Sequence, residues 1–222
     1  MWQLARRLNR PAHLGTLRRT APLSDQWGYD RGTPIDRYYI EGFLAQHRDD
    51  ICGTVLEVQD DTYTQRFGTN VTRHEVLDID PTNRKATVIA DLAAAHNIPS
   101  DSFDCFILTQ TLQLIYDTRA CLFHAHRLLR SGGRLLVTVP GVSRIVPPQD
   151  GPVDYWRFTV DSCSAVFGEV FRPARVSVSA YGNVLTSIAF LTGMALEELT
   201  RHELEVQDRY FPLIVAVRAV KL

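Results

Sequence analysis

Val55-Leu56-Glu57-Val58-Gln59-Asp60-Asp61-Thr62-Tyr63-Thr64 (VLEVQDDTYT) is a short apolar run, broken by one acid, that ends in a polar, hydroxyl-rich turn. It reads as the opening of a ligand-binding βα unit from which the glycines have gone. In an open parallel sheet a ligand lies beyond the carboxyl ends of the strands, near the point where strand order reverses, so the first loop must let it approach closely. Glycine suits that loop because it accepts positive φ and carries no Cβ. A left-handed Gln59 costs about 1–2 kcal/mol, an amount a packed domain absorbs. The volume of its side chain matters more, since it either fills the ligand's space or turns outward and donates to it.

Outward from this stretch the chain alternates apolar β-rich runs with helical segments, the pattern of a parallel sheet covered on both faces. Strands are expected near Thr54–Val58, Glu75–Ile79, Ala86–Ala90, Phe103–Thr109, Arg134–Val139, Arg175–Ser179 and Leu213–Val220. A helix is expected from about Pro34 to Gln46, with Thr33 as cap, Pro34 at the first helical position and Ile35, Tyr39 and Phe43 on one stripe. A second should span Thr118–Leu129, capped by Asp117 or Thr118 and followed by Gly132-Gly133. A third should run over Val184–Leu199. The proline- and glycine-rich segment from Arg144 to Val153 reads as a loop or lid.

At 222 residues, the length fits one α/β domain. The division expected is a basic arm and turn segment over 1–32 and a single domain over 33–222. The first twenty residues hold five arginines (Arg6, Arg7, Arg10, Arg18, Arg19) and no acid. That composition suits either a solvated or packed terminal helix or a basic arm over an anionic surface. A formal charge of -1 gives no reason to expect nucleic-acid binding. No apolar run is long enough for a bilayer span, and the start has no secretory signal, so a cytoplasmic protein is expected. Cys52, Cys105, Cys121 and Cys163 show no zinc spacing and read as reduced, mostly buried thiols, with no metal site expected. The histidines do not assemble a Ser-His-Asp or metal constellation.

Three motifs carry a family resemblance. VLEVQDDTYT stands where class I S-adenosylmethionine-dependent methyltransferases have their hhE-h-G-x-G-x-G loop. FDCFILTQTLQLIYD (Phe103 to Asp117) resembles their fourth-strand motif, and LLRSGGRLLVTVPG (Leu128 to Gly141) their helix-GG-strand motif. WGYDRGTPIDRYYIEGFL and DYWRFT (Asp154 to Thr159) are similar to a bacterial branch of small methyltransferases whose first loop is glycine-poor. In that branch the loop usually begins Gly-Asp, and here Gln59 stands in place of the glycine. The resemblance implies a doubly wound, seven-stranded, mostly parallel sheet of Rossmann-like methyltransferase type with an antiparallel last strand. It also implies S-adenosyl-L-methionine as cofactor and a small-molecule acceptor as partner; a homodimer is compatible with it.

Candidate cofactor residues follow from strand ends. Glu57, an acid among apolar residues, must reach the cleft or find a buried partner, and the family places such an acid near the methionine ammonium. Asp60 would favour a cationic sulfonium or ammonium, and Tyr63 supplies a hydroxyl and an aromatic wall; Asp60-Asp61-Thr62 reads equally as a helix start. Asp78 and Asp80 fit the ribose-binding acid after the second strand, although Asp80-Pro81 also suits a turn cap. Asp91 and Leu92 match the family's adenine-contacting position, or else a cap before Leu92–Ala95. Thr109 and Gln110 emerge from a buried run at the cleft mouth.

Methyl transfer is an in-line displacement at an activated carbon, so positioning and water exclusion supply much of the acceleration. The expected catalytic cluster is Asp154 as proton acceptor, Tyr155 as hydrogen-bonding group and Arg157 as anchor for an anionic or sugar group, with Trp156 as a stacking face. Tyr38 and Tyr39 could close the pocket from the first helix, though a tyrosine on a helical stripe is more often core. Relatives commonly have Glu-His where this chain has Gln113-Leu114, so no histidine base stands there. The leading reading is methyl transfer to a small molecule or sugar, at oxygen. The alternative is a repurposed methyltransferase fold, either a non-methylating enzyme such as a cyclase or isomerase or a binding protein. A nicotinamide dehydrogenase is weaker, because G-x-G-x-x-G is absent.

Overall fold

The computed structural model describes residues 15–147 and 149–222. Arg6, Arg7 and Arg10 lie outside these residues, whereas Arg18 and Arg19 are exposed. Seven strands form one sheet: β1 (Gly53–Val58), β2 (Val71–Asp78), β3 (Val88–Ile89), β4 (Phe103–Thr109), β5 (Leu129–Pro140), β6 (Val176–Tyr181) and β7 (Ile214–Val220). Their order is β3-β2-β1-β4-β5-β7-β6, and only the pairings of β7 with β5 and β6 are antiparallel. The order reverses between β1 and β4, whose residues Glu57 and Ile107 are in register. A crevice is expected at their carboxyl ends.

Six helices accompany the sheet among the described residues: α1 (Ile35–Gln46), α2 (Thr62–Phe67), α3 (Thr118–Leu128), α4 (Val160–Phe171), α5 (Val184–Thr192) and α6 (Arg201–Glu205). One face of the sheet meets Cys121, Leu122, Ala125 and Leu128 of α3 and Cys163, Phe167 and Phe171 of α4. The other meets Ile40, Phe43 and Leu44 of α1, and Ile35, Tyr39, Ala189 and Phe190 join α1 to α5. Cys105, Cys121 and Cys163 are buried free thiols and Cys52 is half-buried.

The helix starts follow local chemistry. Asp117 caps α3 by accepting from the Ala120 N–H at 2.9 Å. Thr159 and Ser162 form a reciprocal capping box at α4. At α1, Pro34 is itself the cap and not the first helical residue, because Thr33 is drawn to Glu197: its N–H and hydroxyl donate to that carboxylate at 2.9 and 2.7 Å.

Three expectations change. The helix expected to reach Leu199 stops at Thr192, where Gly193 takes φ 76° and the N–H groups of Gly193 and Met194 close on Phe190 and Ala189. The chain then turns so that Leu196 N–H donates to the Thr33 carbonyl at 2.7 Å and Ala195 bridges Pro34. β5 begins at Leu129, directly after α3, and Gly132 (φ 78°) serves a turn inside it where Gly132 and Gly133 pair with Lys221. β3 keeps only two residues, since turns around Asn83 and Asp91 occupy the backbone on either side.

Residues 23–32 pack on this frame. Leu23 N–H donates to the Thr192 carbonyl at 2.7 Å, Gly28 (φ 90°) sits against Met194, and Arg31 pairs with Glu198 at 2.5 Å.

Candidate active site

The first loop leaves β1 in the left-handed region: Gln59 has φ 71°. Across the switch point Gln110, just after β4, has φ 47°. Two non-glycine residues in strained backbone thus flank the place where strand order reverses, the kind of spot where such strain is retained for function. Gln59 N–H bonds the Leu77 carbonyl at 2.9 Å, and its own carbonyl accepts from Asn83 Nδ2 at 2.7 Å. Its side chain is exposed and makes no hydrogen bond to the described residues. Gln110 N–H donates to the Thr138 carbonyl at 2.8 Å.

A cavity of about 490 Å³ opens between these two residues. Of the expected cofactor residues, Glu57, Gln59, Asp60, Tyr63, Thr109 and Gln110 line it. Glu57 is buried, and its carboxylate is fully engaged with α2: Oε1 accepts from the Tyr63 N–H at 3.0 Å, and Oε2 from the Thr64 N–H at 2.7 Å and hydroxyl at 2.6 Å. Burial pushes this carboxyl up to about 6 against the pull of those hydrogen bonds. Asp60 accepts from the Thr62 N–H at 3.0 Å with Lys85 Nζ 3.6 Å away, and these outweigh burial to hold it below the usual carboxylate range.

The remaining cofactor candidates lie outside that cavity. Asp78 stands half-buried at the end of β2, accepting from the Asp80 N–H at 3.0 Å and from Asn83 Nδ2 at 2.6 Å. Asp80 is exposed and closes a turn onto the Thr82 N–H and hydroxyl, both at 2.8 Å. Asp91 is exposed and accepts from the Ala93 N–H at 2.9 Å, while Leu92 is buried in the core on the α3 side and presents no free face to a ring. Asn83 was not singled out in the sequence. It ties the first loop to Asp78, and a polar residue two positions after a proline turn gives no signal of that.

A second cavity, about 250 Å³, adjoins the first and shares Tyr29, Pro34, Arg37 and Gln110 with it. Arg37 donates to the Tyr63 hydroxyl at 2.6 Å and the Tyr29 hydroxyl at 3.0 Å, spanning the common wall. The expected tyrosines of α1 do not reach either cavity: Tyr39 is core and donates to the Leu204 carbonyl at 3.0 Å, and Tyr38 packs beside it. Their neighbours Asp36 and Arg37 line the space instead. The core alternative holds for Tyr39, and the apolar stripe alone does not tell which flank of it meets a cleft.

The cluster after β5 is corrected in the same way. Asp154 and Arg157 both line the second cavity, but they hold each other through two hydrogen bonds of 2.6 and 2.8 Å, and Arg157 also donates to the Arg144 carbonyl at 2.6 Å. The guanidinium keeps the Asp154 carboxyl below its ordinary range, so it is a poor proton acceptor, and both terminal nitrogens of Arg157 are engaged, which leaves only its Nε without a partner. Tyr155 is 44 % exposed and Trp156 39 % exposed; both rings pack on Tyr116 outside the cavity, and Trp156 Nε1 donates to the Ile115 carbonyl at 3.1 Å. The loop is therefore strapped by its own ion pair.

The arrangement suits a small ligand with a cationic group. A cavity of this size falls in the small-ligand range, and its rim carries carboxylates on the side of β1. Residues 51–137 match the family model for a methyltransferase domain. No curated protein sequence matches the chain. Among solved structures, a SAM-dependent methyltransferase from Archaeoglobus fulgidus superposes with a TM-score of 0.55 at 13 % identity, covering 83 % of this chain and 94 % of the other. The N-methyltransferase NodS from Bradyrhizobium japonicum, in complex with S-adenosyl-L-homocysteine, gives 0.53 at 12 % identity over 90 % and 93 %. The cyclase SpnF gives 0.52 at 14 % identity over 90 % and 86 %. These structures share the fold.

Proposed function

We propose that the chain, whose residues 51–137 match the model of a methyltransferase domain, is a class I S-adenosylmethionine-dependent methyltransferase that transfers the methyl group of S-adenosyl-L-methionine to oxygen of a small-molecule acceptor. The observation that supports this most is the pair of adjoining cavities at the β1–β4 switch point, one for the cofactor's methionine end and one for the acceptor, with Arg37 in their common wall. When bound, S-adenosylmethionine supplies a methyl group already activated by the positive sulfur. The protein's part is placement. Glu57 and Asp60 favour the cationic end, Asp78 suits the ribose hydroxyls, and the outward Gln59 side chain can donate to the methionine carboxylate. The Asp154–Arg157 strap holds the loop from Arg144 over the acceptor cavity and keeps water out. The same reading puts the reaction in cytoplasmic biosynthesis.

A second reading, a repurposed fold that binds or rearranges its ligand without methylating, is supported by the absence of glycine from the first loop and by the likeness to a cyclase. Calorimetric titration with S-adenosylmethionine and S-adenosylhomocysteine separates the two. Micromolar binding of both with a raised melting temperature is expected. Absence of heat together with an unaltered melting temperature would favour the second reading.

A further inference from the structure

Among the described residues, four buried side-chain polar atoms lack a hydrogen-bond partner: Asp36 Oδ1, Gln113 Oε1, Arg157 Nε and Arg134 Nε. The first three line the 250 Å³ cavity. They come from α1, from the turn after β4 and from the loop before α4, so no local feature of one segment explains them. Asp36 and Gln113 are each only 8 % exposed. A buried polar group left unpaired costs stability, and three unpaired groups around one space mark a place where a ligand completes the hydrogen bonding.

The three atoms define what that ligand offers. Asp36 Oδ1 and Gln113 Oε1 accept, and the amide orientation of Gln113 is fixed because its Nε2 donates to the Gln110 carbonyl at 2.8 Å. Arg157 Nε–H donates. Trp27, Pro34, Pro140, Phe190 and Ile214 give the cavity apolar walls between its polar groups. A ring bearing hydroxyl groups satisfies both sets, since a hydroxyl donates and accepts at once.

Resting on the methyltransferase reading above, we infer that the smaller cavity binds a small hydroxylated aromatic compound, with Asp36 as proton acceptor for the hydroxyl that is methylated and Gln113 as acceptor for a second donor. As the O–CH₃ bond forms, the O–H electron pair stays on oxygen and the proton passes to the Asp36 carboxylate. The electrons of the broken S–CH₃ bond remain on sulfur. Asp36 suits this task electrostatically as well. Burial raises its carboxyl above the ordinary range, opposed by the Arg37 charge and nearby backbone N–H groups and aided by Glu41 on the same helix. Across the cavity stand Arg144 and the mutually neutralised Asp154 and Arg157.

The probe is resorcinol, titrated calorimetrically into the full chain saturated with S-adenosylhomocysteine, with 1,3-dimethoxybenzene as the analogue that lacks donors. Asp36→Asn and Gln113→Leu should each weaken resorcinol about ten-fold and leave dimethoxybenzene and S-adenosylhomocysteine unaffected. Unchanged resorcinol affinity in Asp36→Asn, with S-adenosylhomocysteine still bound, would overturn the inference and spare the methyltransferase reading; failure of S-adenosylhomocysteine to bind the native chain would overturn both. Melting temperature gives a readout free of ligand. A buried carboxylate with a raised folded value lowers stability as pH rises from its unfolded value of 3.8. Asp36→Asn should therefore melt several degrees above the native chain at pH 8, and the gap should close toward pH 4. A lower melting temperature for Asp36→Asn at pH 8 would show a structural carboxylate and sink the proposal.

Discussion

Gln59 shows how one residue can keep a site that its neighbours usually build from glycine. Its backbone holds the left-handed turn at φ 71° while its side chain stays at the exposed rim. Replacing it with glycine should relieve the strain against a smaller loss to chain entropy and raise stability by about 0.5–1 kcal/mol, read as a higher denaturant midpoint with an unchanged m-value. Its effect on S-adenosylhomocysteine affinity separates obstruction, which would give tighter binding, from a ligand role, which would give weaker binding. Glu57 makes a second prediction at this scale. Its folded value of about 6 lies above the unfolded 4.5, so the native chain pays no penalty below pH 4.5 and accumulates one of about 2 kcal/mol by pH 7. The stability difference between Glu57→Gln and the native chain should shift in favour of Gln by that amount from pH 4.5 to 7. Both positions were legible in the sequence as strand-end residues. What each side chain touches was not, because Tyr63 and Thr64 N–H groups become partners for Glu57 only once α2 folds back over β1.

At the scale of elements, the site depends on where α5 stops. Had α5 run to Leu199, the segment 194–198 could not turn back to bond Thr33 and Pro34, and the start of α1, with Asp36 and Arg37, would lose its anchor. Gly193→Ala tests this. A Cβ there would meet the Ser24 carbonyl oxygen inside contact distance, and φ 76° disfavours it further. A loss of about 2 kcal/mol or more is expected, with faster amide exchange over residues 23–34. The stop was missed because Val184–Thr192 and the residues beyond it form one nearly continuous apolar pattern, in which a single glycine is a weak signal. The fourth strand and the Asp117 cap were read more successfully: Phe103–Thr109 stands as expected, and Asp117 bonds its own helix's backbone. Local chemistry settles such features, whereas Thr33 is diverted by Glu197, a partner 164 residues away.

For the whole molecule, alternation and strand-end motifs made the sheet legible, and with it the crevice at the β1–β4 reversal. The chemistry of the second cavity was less so, since it is assembled from α1, the turn after β4 and the loop after β5, and only folding sets their spacing. The strap across that loop gives a molecular test. Arg157→Ala leaves Asp154, whose side chain is only 5 % exposed, without its charge partner, so stability should fall by about 3 kcal/mol. Proteolytic nicking should then concentrate between 144 and 153. Unchanged nicking would mean that other contacts hold the loop.

One feature of the fold ties the two ligands together. Arg37 bonds Tyr63, which lines the larger cavity, and Tyr29, which lines both, so whatever leans on either tyrosine fixes the guanidinium for both compartments. Thermodynamic reciprocity then applies: the factor by which a nucleoside occupant changes acceptor affinity is the factor by which the acceptor changes nucleoside affinity. Order of addition would alter the route to the ternary complex and leave its free energy the same.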